Sequence, residues 1–541
     1  MASIIRQKVG NRTYLYESVS YRNADGKPRN RRVPIGKIDP ASGQLIYKPD
    51  YLARMAASGA ITESAAASVT TFTSEDIRQS SVLEYGSMYL LQSIAQQIGV
   101  LDALQSALPA VHHEIFTLAC YLVLSGDPFL YCEEWLSKTS CPEDVGSLSS
   151  QRISDLLQTV TPEGREAFYQ AWCRLRSEQE YLALDITSTS SYSELIQDVE
   201  WGYNRDKEQL AQINLCMLMG ETSRLPIYQV VYSGSLKDVT TLETTLSKME
   251  AISGDKPVVA VMDKGFFSTR NVNAMLNRAH PIRFVVAVPF TSQFAKKMVA
   301  SERKDIDHLQ RTLVIGENSM RAVTKERAWD EKHRLYTHVY YHALKALKLR
   351  EDLYAHVTVL KERAEIDPIS ALKDESSHQY LIIRKSTNTD SGYTVSIREE
   401  VVAKELETAG WLVIVSNDVA DAKETLSIYR QKDVVEKGFL RLKANLDLGR
   451  LRVHRDDSMQ NKVFIGFLAL ILLSHLHKVM LDKELYKSMT MKKLLLILSK
   501  LRVQHINGQR CICQLKSTPL SHLKVPHLAT RKSVILSFFT A

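Results

Sequence analysis

Between residues 181 and 289, short apolar runs alternate with amphipathic segments in an order that few folds can satisfy. YLALDIT (181–187), INLCMLMG (213–220) and LPIYQVVYSG (225–234) read as three consecutive strands. DVTTLETTLSKMEAI (238–252) reads as a helix opened by Asp238. PVVAVMDKG (257–265) follows as a strand, STRNVNAMLNRA (268–279) as a helix and IRFVVAVP (282–289) as a strand. Apolar runs of about four to eight residues bounded by turn formers suit buried strands, whereas spacing near 3.6 is helical. The order β-β-β-α-β-α-β calls for a sheet covered by helices.

Two aspartates interrupt this apolar pattern. Asp185 is the fifth residue of the first run, and Asp263 closes VVAVM just before Lys264-Gly265. Singly, each could be a strand-end turn former. An unpaired acid in an apolar strand is costly, however. If the first and fourth strands are neighbours, the two carboxylates project side by side. Each then raises the other's pKa unless a cation neutralises them. A third carboxylate from a nearby helix would complete an oxygen-donor site for hard cations.

The stretch YRQKDVVEKGFLRLK (429–443) offers that third group. At about 100° per residue, Tyr429, Lys432, Glu436 and Lys443 fall within an arc of roughly 60°. Glu–Lys edges are common on solvated helix faces. This helix, however, follows the last strand, GWLVIVSND (410–418), so Glu436 can reach the aspartates. Three such carboxylates can hold two ions about 4 Å apart, which clamp the attacking and leaving oxygens of an in-line phosphoryl displacement.

The flanks extend the picture. Residues 1–55 read as a basic β-rich domain. Up to residue 50 they carry ten Lys and Arg against four acids, with Arg29, Arg31 and Arg32 in one run. Such a face is either solvated or set against a DNA backbone. Residues 56–80 are small and polar, a linker composition. Residues 81–178 have helical periodicity. Residues 179–291 and 409–480 form two parts of one α/β core, 292–408 an insertion and 481–541 a C-terminal helical region. The fold class expected is therefore multidomain α/β.

Bulk properties narrow the function. The 541 residues have a net charge of +8, a mild pointer to a polyanionic partner. Seven scattered cysteines without CxxC spacing suit a reducing compartment. The start has no apolar core of signal-peptide length. VFIGFLALILL (463–473) is too short to span a bilayer and reads as a buried helix. The expectation is a soluble, cytoplasmic protein with no membrane partner.

These motifs together resemble a known family. The strand–helix order and the Asp, Asp, Glu placements resemble the RNase H-like fold of retroviral integrases and DDE transposases. YRQKDVVEKGFLRLK is similar to the Tyr-x2-Arg-x3-Glu-x6-Lys signature of bacterial insertion-sequence transposases. VMDKGFFS resembles that group's Asp-Arg-Gly-Phe motif, and DITSTS its first Asp motif. The resemblance implies an RNase H-like catalytic core with a large insertion domain, preceded by the small β-rich and all-helical domains. It implies that Asp185, Asp263 and Glu436 bind two Mg2+ (or Mn2+) ions, and that Tyr429, Lys432 and Lys443 contact the DNA backbone. Arg441 and Arg450 fit a contact with the DNA backbone too, since 437–455 carries six Lys and Arg against Asp447 alone.

Two departures stand out: Lys432 and Lys264 replace the arginines of their motifs. A lysine is a point charge on phosphate where arginine is a bidentate fork. Trp329, in the insertion, is either a packing residue or a platform for an extruded base. The expected activity is metal-dependent hydrolysis at element ends. Joining of the freed 3′ hydroxyl to target DNA follows, by a homodimer on terminal inverted repeats, in the bacterial nucleoid. The alternatives are a structure-selective nuclease of the same fold and a transposase-derived DNA-binding protein with weakened catalysis.

Overall fold

The computed structural model describes residues 81–514, apart from 142–144, 177–179, 254–258, 317, 388–391 and 507–508. It also describes residues 3–9, 12–22, 28–38, 45–48 and 50–51. The expected linker at 56–80 lies outside the described residues. The chain divides into two units. One comprises Met1–Leu90, Lys138–Ser140 and Leu494–Ala541, the other Leu91–Ser137 and Cys141–Lys493.

In the first unit, β1 (Ser3–Val9), β2 (Arg12–Arg22), β3 (Pro28–Ile38) and β4 (Leu45–Tyr47) form an antiparallel meander. Leu15, Ile35 and Tyr51 make its small core. Arg29, Arg31 and Arg32 lie opposite Tyr21, Val19 and Ser18, and Arg31 and Arg32 are exposed. The C-terminal region departs from expectation. After the helix Met491–Leu498, residues Leu501–Ile506 and Gln509–Gln514 are antiparallel strands. The first of them also pairs with β5 (Ser81–Glu84), so the segment expected to be helical from 81 opens with a strand. Leu501 and Val503 carry a weak period-two pattern, which the strongly helical MKKLLLIL upstream overshadows.

The second unit is built on one nine-stranded sheet. Its strands are β6 (Leu182–Ser190), β7 (Gln212–Gly220), β8 (Pro226–Ser233), β9 (Val259–Met262), β10 (Arg283–Ala287), β11 (Thr312–Ile315), β12 (Asn318–Ala328) and β13 (Arg334–Tyr341). After the pair β14 (Leu381–Lys385) and β15 (Tyr393–Ile397), which stands apart, β16 (Trp411–Ser416) completes the sheet. The order is β11-β12-β13-β16-β10-β9-β6-β7-β8. β6, β9 and β10 run parallel to one another, and every other pairing is antiparallel. β7 and β9 are buried along their whole length, as expected where helices cover both faces.

The helices His112–Leu124, Ser150–Thr159 and Pro162–Leu175 pack on the apolar helix Asp456–Asp482, and Val100–Ala107 packs on the first and last of them. Ser149 and Thr161 cap two of them by accepting from the amides of Arg152 and Gly164. Asp456–Asp482 is long and apolar enough to cross a membrane, yet 78% of its most apolar window is buried within the protein. Phe464 and Phe467 pack edge-on against Phe168 and Tyr169, at 5.3 Å between ring centres. The helix is core.

The segment expected to be an insertion at 292–408 is composite. β11, β12 and β13 extend the central sheet, with β13 paired to β16. Only the residues after them leave the sheet. The helix Ala343–Ile366, the β14–β15 hairpin and the helix Glu399–Leu406 share their own core of Val357, Leu360, Ala364, Tyr380, Leu381 and Val402. β11 and β12 are half-exposed, and their mixed sequences lack the continuous apolar runs that marked β6 to β10.

Candidate active site

The parallel register of β6 and β9 sets two acids together. Ala183 faces Val261 and Leu184 faces Met262, so the next residues along are Asp185 and Asp263. Asp185 is interior to β6, not at a strand end as its sequence suggested; the strand continues through a polar stretch to Ser190. Its Oδ1 accepts from the Ile186 amide at 2.8 Å. Burial pushes the carboxyl up to about 6, with Asp263 adding to the rise; the Ile186 amide, Lys432 and Arg205 pull the other way. Asp263 immediately precedes the short turn Lys264–Phe266, and its side chain is 38% exposed.

The helical edge read from residues 429–443 is two helices. Asp421 caps Ala422–Gln431 by accepting from the Glu424 amide, and Asp433–Asn445 follows after Lys432. Lys432 keeps helical dihedrals (φ −54°, ψ −20°), so the edge survives the break. Tyr429 packs against the cluster of Val261, Val285, Ile414 and Leu426, beneath the first helix. The second helix lies on β6 and β7. A Cβ at Gly438 would run into Met219 Sδ of β7, so glycine permits the close approach that brings in Glu436.

Two of the four edge residues meet an aspartate, and Glu436 joins them through Lys432. Tyr429 Oη donates to Asp263 Oδ1 at 2.7 Å. Lys432 Nζ lies 2.8 Å from Glu436 Oε1 and 3.8 Å from Asp263 Oδ1. It also sits 5.5 Å from the Tyr429 ring centre, a cation–π distance. Burial opposes the Lys432 charge, but Glu436, Asp263 and Asp185 outweigh it and hold the ammonium above the usual lysine range. Burial and the Asp263 charge push the Tyr429 hydroxyl well above the ordinary tyrosine range, so it remains a neutral donor. Lys432 is 14% exposed and Glu436 55%, so solvent reaches the site from the Glu436 side.

Of the other cations expected to meet DNA, Lys443 and Arg450 are engaged elsewhere. Lys443 Nζ donates to Asp206 at 2.5 Å. Arg450 forms a fork with Glu208 at 2.8 and 2.9 Å, and Glu208 is anchored by the Ser190 hydroxyl. Arg441 has no carboxylate partner among the described residues; burial and the neighbouring Arg224 lower its pKa. Arg29, Arg31 and Arg32 belong to the first unit. Trp329 donates to Asn273 Oδ1 at 2.7 Å and lies edge-on to Phe294, a packed setting. Sequence reasoning did not single out the loop 204–208. Its charges are ordinary in sequence and gain partners only when β6 and β7 pair.

Among the described residues, no three His, Cys, Asp or Glu side chains are gathered closely enough to close a metal site. The donors nonetheless suit a hard cation. They are carboxylate oxygens, the half-buried Asp185 carboxylate has one hydrogen bond, and an ammonium already stands between Glu436 and Asp263.

A model of the transposase DDE domain matches residues 176–472, more than half of the chain. The chain belongs to the transposase DDE-domain family. The matched DDE domain holds Asp185, Asp263 and Glu436 and all nine strands of the central sheet. Among solved structures, the chain is similar to the cryo-EM structure of a piggyBac transposase synaptic complex with hairpin DNA. The two are 11% identical, with a TM-score of 0.35 over 82% of this chain and 74% of that one, a likeness too loose to carry weight. No curated protein matches.

Proposed function

We propose that this DDE-domain chain is a DNA transposase of the Tyr-x2-Arg-x3-Glu-x6-Lys group. It would cleave one strand at each element end and join the freed 3′ hydroxyl to target DNA. One observation supports the reading: Asp185 and the residue just past β9, Asp263, stand abreast in the parallel register, with Tyr429 and Lys432 against Asp263 and Glu436 paired to Lys432. The strand order β8-β7-β6-β9-β10 supports an RNase H-like core.

In this reading Asp185, Asp263 and Glu436 would hold two Mg2+ or Mn2+ ions, which would supply activation of the attacking oxygen and stabilisation of the leaving one. Tyr429 fixes the Asp263 carboxylate through its hydrogen bond and forms no covalent bond to DNA. Lys432 neutralises Asp263 and Glu436 in the free chain and turns to a backbone phosphate when DNA arrives. Lys443 and Arg450 exchange Asp206 and Glu208 for phosphates. Arg441, and the exposed Arg31 and Arg32 with Arg29 beside them, supply further backbone contacts. A homodimer would bring two inverted repeats together on double-stranded DNA, in the bacterial cytoplasm.

The test is cleavage and joining of a labelled duplex carrying the repeat that flanks the coding sequence, with magnesium or manganese. Nicking at the repeat end and strand transfer, both lost in Glu436→Gln, are expected. Cleavage without joining would point instead to a nuclease, and binding without either to a DNA-binding derivative.

A further inference from the structure

The connection from β6 to β7 carries a cation that the motif pattern does not single out. Arg205 Nη2 donates to both carboxylate oxygens of Asp238, each at 2.5 Å. Asp238 opens the helix Asp238–Ser253, and its carboxylate fills the space beside Gly265; a Cβ there would stand 3.2 Å from Asp238 Oδ2. Gly265 lies two residues beyond Asp263, so the Arg205–Asp238 pair is packed on the turn that carries one candidate metal ligand. The other ligand, Asp185, lies within reach of the Arg205 charge. The loop is tied along the polar end of β6, the Arg205 amide to Ser188 Oγ at 3.4 Å and Asn204 Nδ2 to Ser190 Oγ at 3.0 Å.

Only one nitrogen of the guanidinium is used. Nε and Nη1 have no hydrogen bond to any described residue, and the side chain is 25% exposed, as is Asp238. A guanidinium held from behind by a carboxylate keeps its remaining donors in a fixed plane. Such a fork matches the oxygens of a phosphate better than a lysine ammonium can.

We propose that Arg205 grips a non-bridging oxygen of the scissile phosphodiester, with Asp238 as the positioning residue behind it. The inference rests on the transposase reading above and adds a substrate contact to it. A side chain at Gly265 would press on Asp238 Oδ2 and crowd the pair.

The experiment compares two duplexes bearing the flanking repeat. One has an ordinary phosphate at the cleavage position and the other a neutral methylphosphonate. Equilibrium binding is measured without divalent ions, so the readout is independent of turnover. The wild-type chain should bind the phosphate duplex about tenfold more tightly, the size of one charged hydrogen bond. Arg205→Gln should bind both alike, and Arg205→Lys should keep only part of the preference. A wild-type chain with no preference, or Arg205→Gln with the full one, overturns the proposal. Should thermal melting show that Arg205→Gln does not fold, full preference in Arg205→Lys overturns it equally. Metal-dependent cleavage of the ordinary duplex, lost in Glu436→Gln, reports separately on the transposase reading. Cleavage with an undiminished preference in Arg205→Gln defeats the Arg205 contact alone.

Discussion

Asp185 bears the clearest cost of any side chain in the site. Its carboxyl rises from an ordinary value to about 6 in the folded chain. A raised carboxyl pKa means that the folded state holds its proton where the unfolded state has lost it. Stability therefore falls as pH climbs from about 4 to 6 and stays lowered above that range. Asp185→Asn should stabilise the ion-free chain at pH 7 by about 1–3 kcal/mol and give no gain below pH 4, measured by denaturant unfolding. An equal gain at both pH values would contradict the burial argument. Tyr429 is the complementary case, a neutral hydroxyl whose visible work is to hold Asp263. Tyr429→Phe should slow cleavage about tenfold or more while repeat binding changes little, since a hydrogen bond to a charged group is worth roughly 1.5–3 kcal/mol. Single-turnover rates beside binding isotherms separate the two effects.

At the scale of elements, the site depends on how closely one helix approaches one sheet. Asp433–Asn445 settles on β7 because Gly438 has no side chain to meet Met219. Gly438→Leu overpacks that contact, so a loss of about 1–3 kcal/mol is expected. The Glu436 carboxylate should move outward as well, with cleavage falling further than stability. Met219→Ala in the same chain should restore part of both, and a double-mutant cycle on thermal melts reads the coupling. The strands β6 to β10 and the helices between them were legible as apolar runs and helical spacing, because both faces of those strands are buried. The polar extension of β6 past Asp185 was not, since Ser188 and Ser190 are buried by partners in the loop 204–208.

Across the whole molecule, the inserted part is attached where it disturbs the sheet least. Tyr341 of β13 is paired with Trp411 of β16, and the His342 amide donates to the Gly410 carbonyl. The chain thus leaves and re-enters the sheet at a hairpin-like end. Replacing 342–410 with Asn-Gly, a favoured two-residue hairpin turn, should leave the remaining unit folded, with a melting shift of only a few degrees. Loss of cooperative melting would show that the core of Val357, Leu360 and Val402 supports the sheet. On the transposase reading, the shortened chain would bind repeats but fail to process them. The boundary of this insertion was misplaced from sequence because β11 and β12 are half-exposed, and β16, the strand that ties β13 to the sheet, lies far along the chain.

What the sequence by itself determined is the chemistry on offer: two acids set in apolar strands and a Tyr–Lys–Glu–Lys edge on a later helix. Local patterns suffice for these because burial and helical spacing are written over a few neighbouring residues. Only the tertiary structure decided which charges meet. The register of β6 on β9 put Asp185 beside Asp263, and the break at Lys432 left its ammonium between Glu436 and Asp263. The β6–β7 loop placed Asp206 on Lys443 and Arg205 on Asp238. Ion pairs between residues tens or hundreds of positions apart leave no periodic trace, because the energy that selects them exists only once the backbone has brought them within a few ångströms.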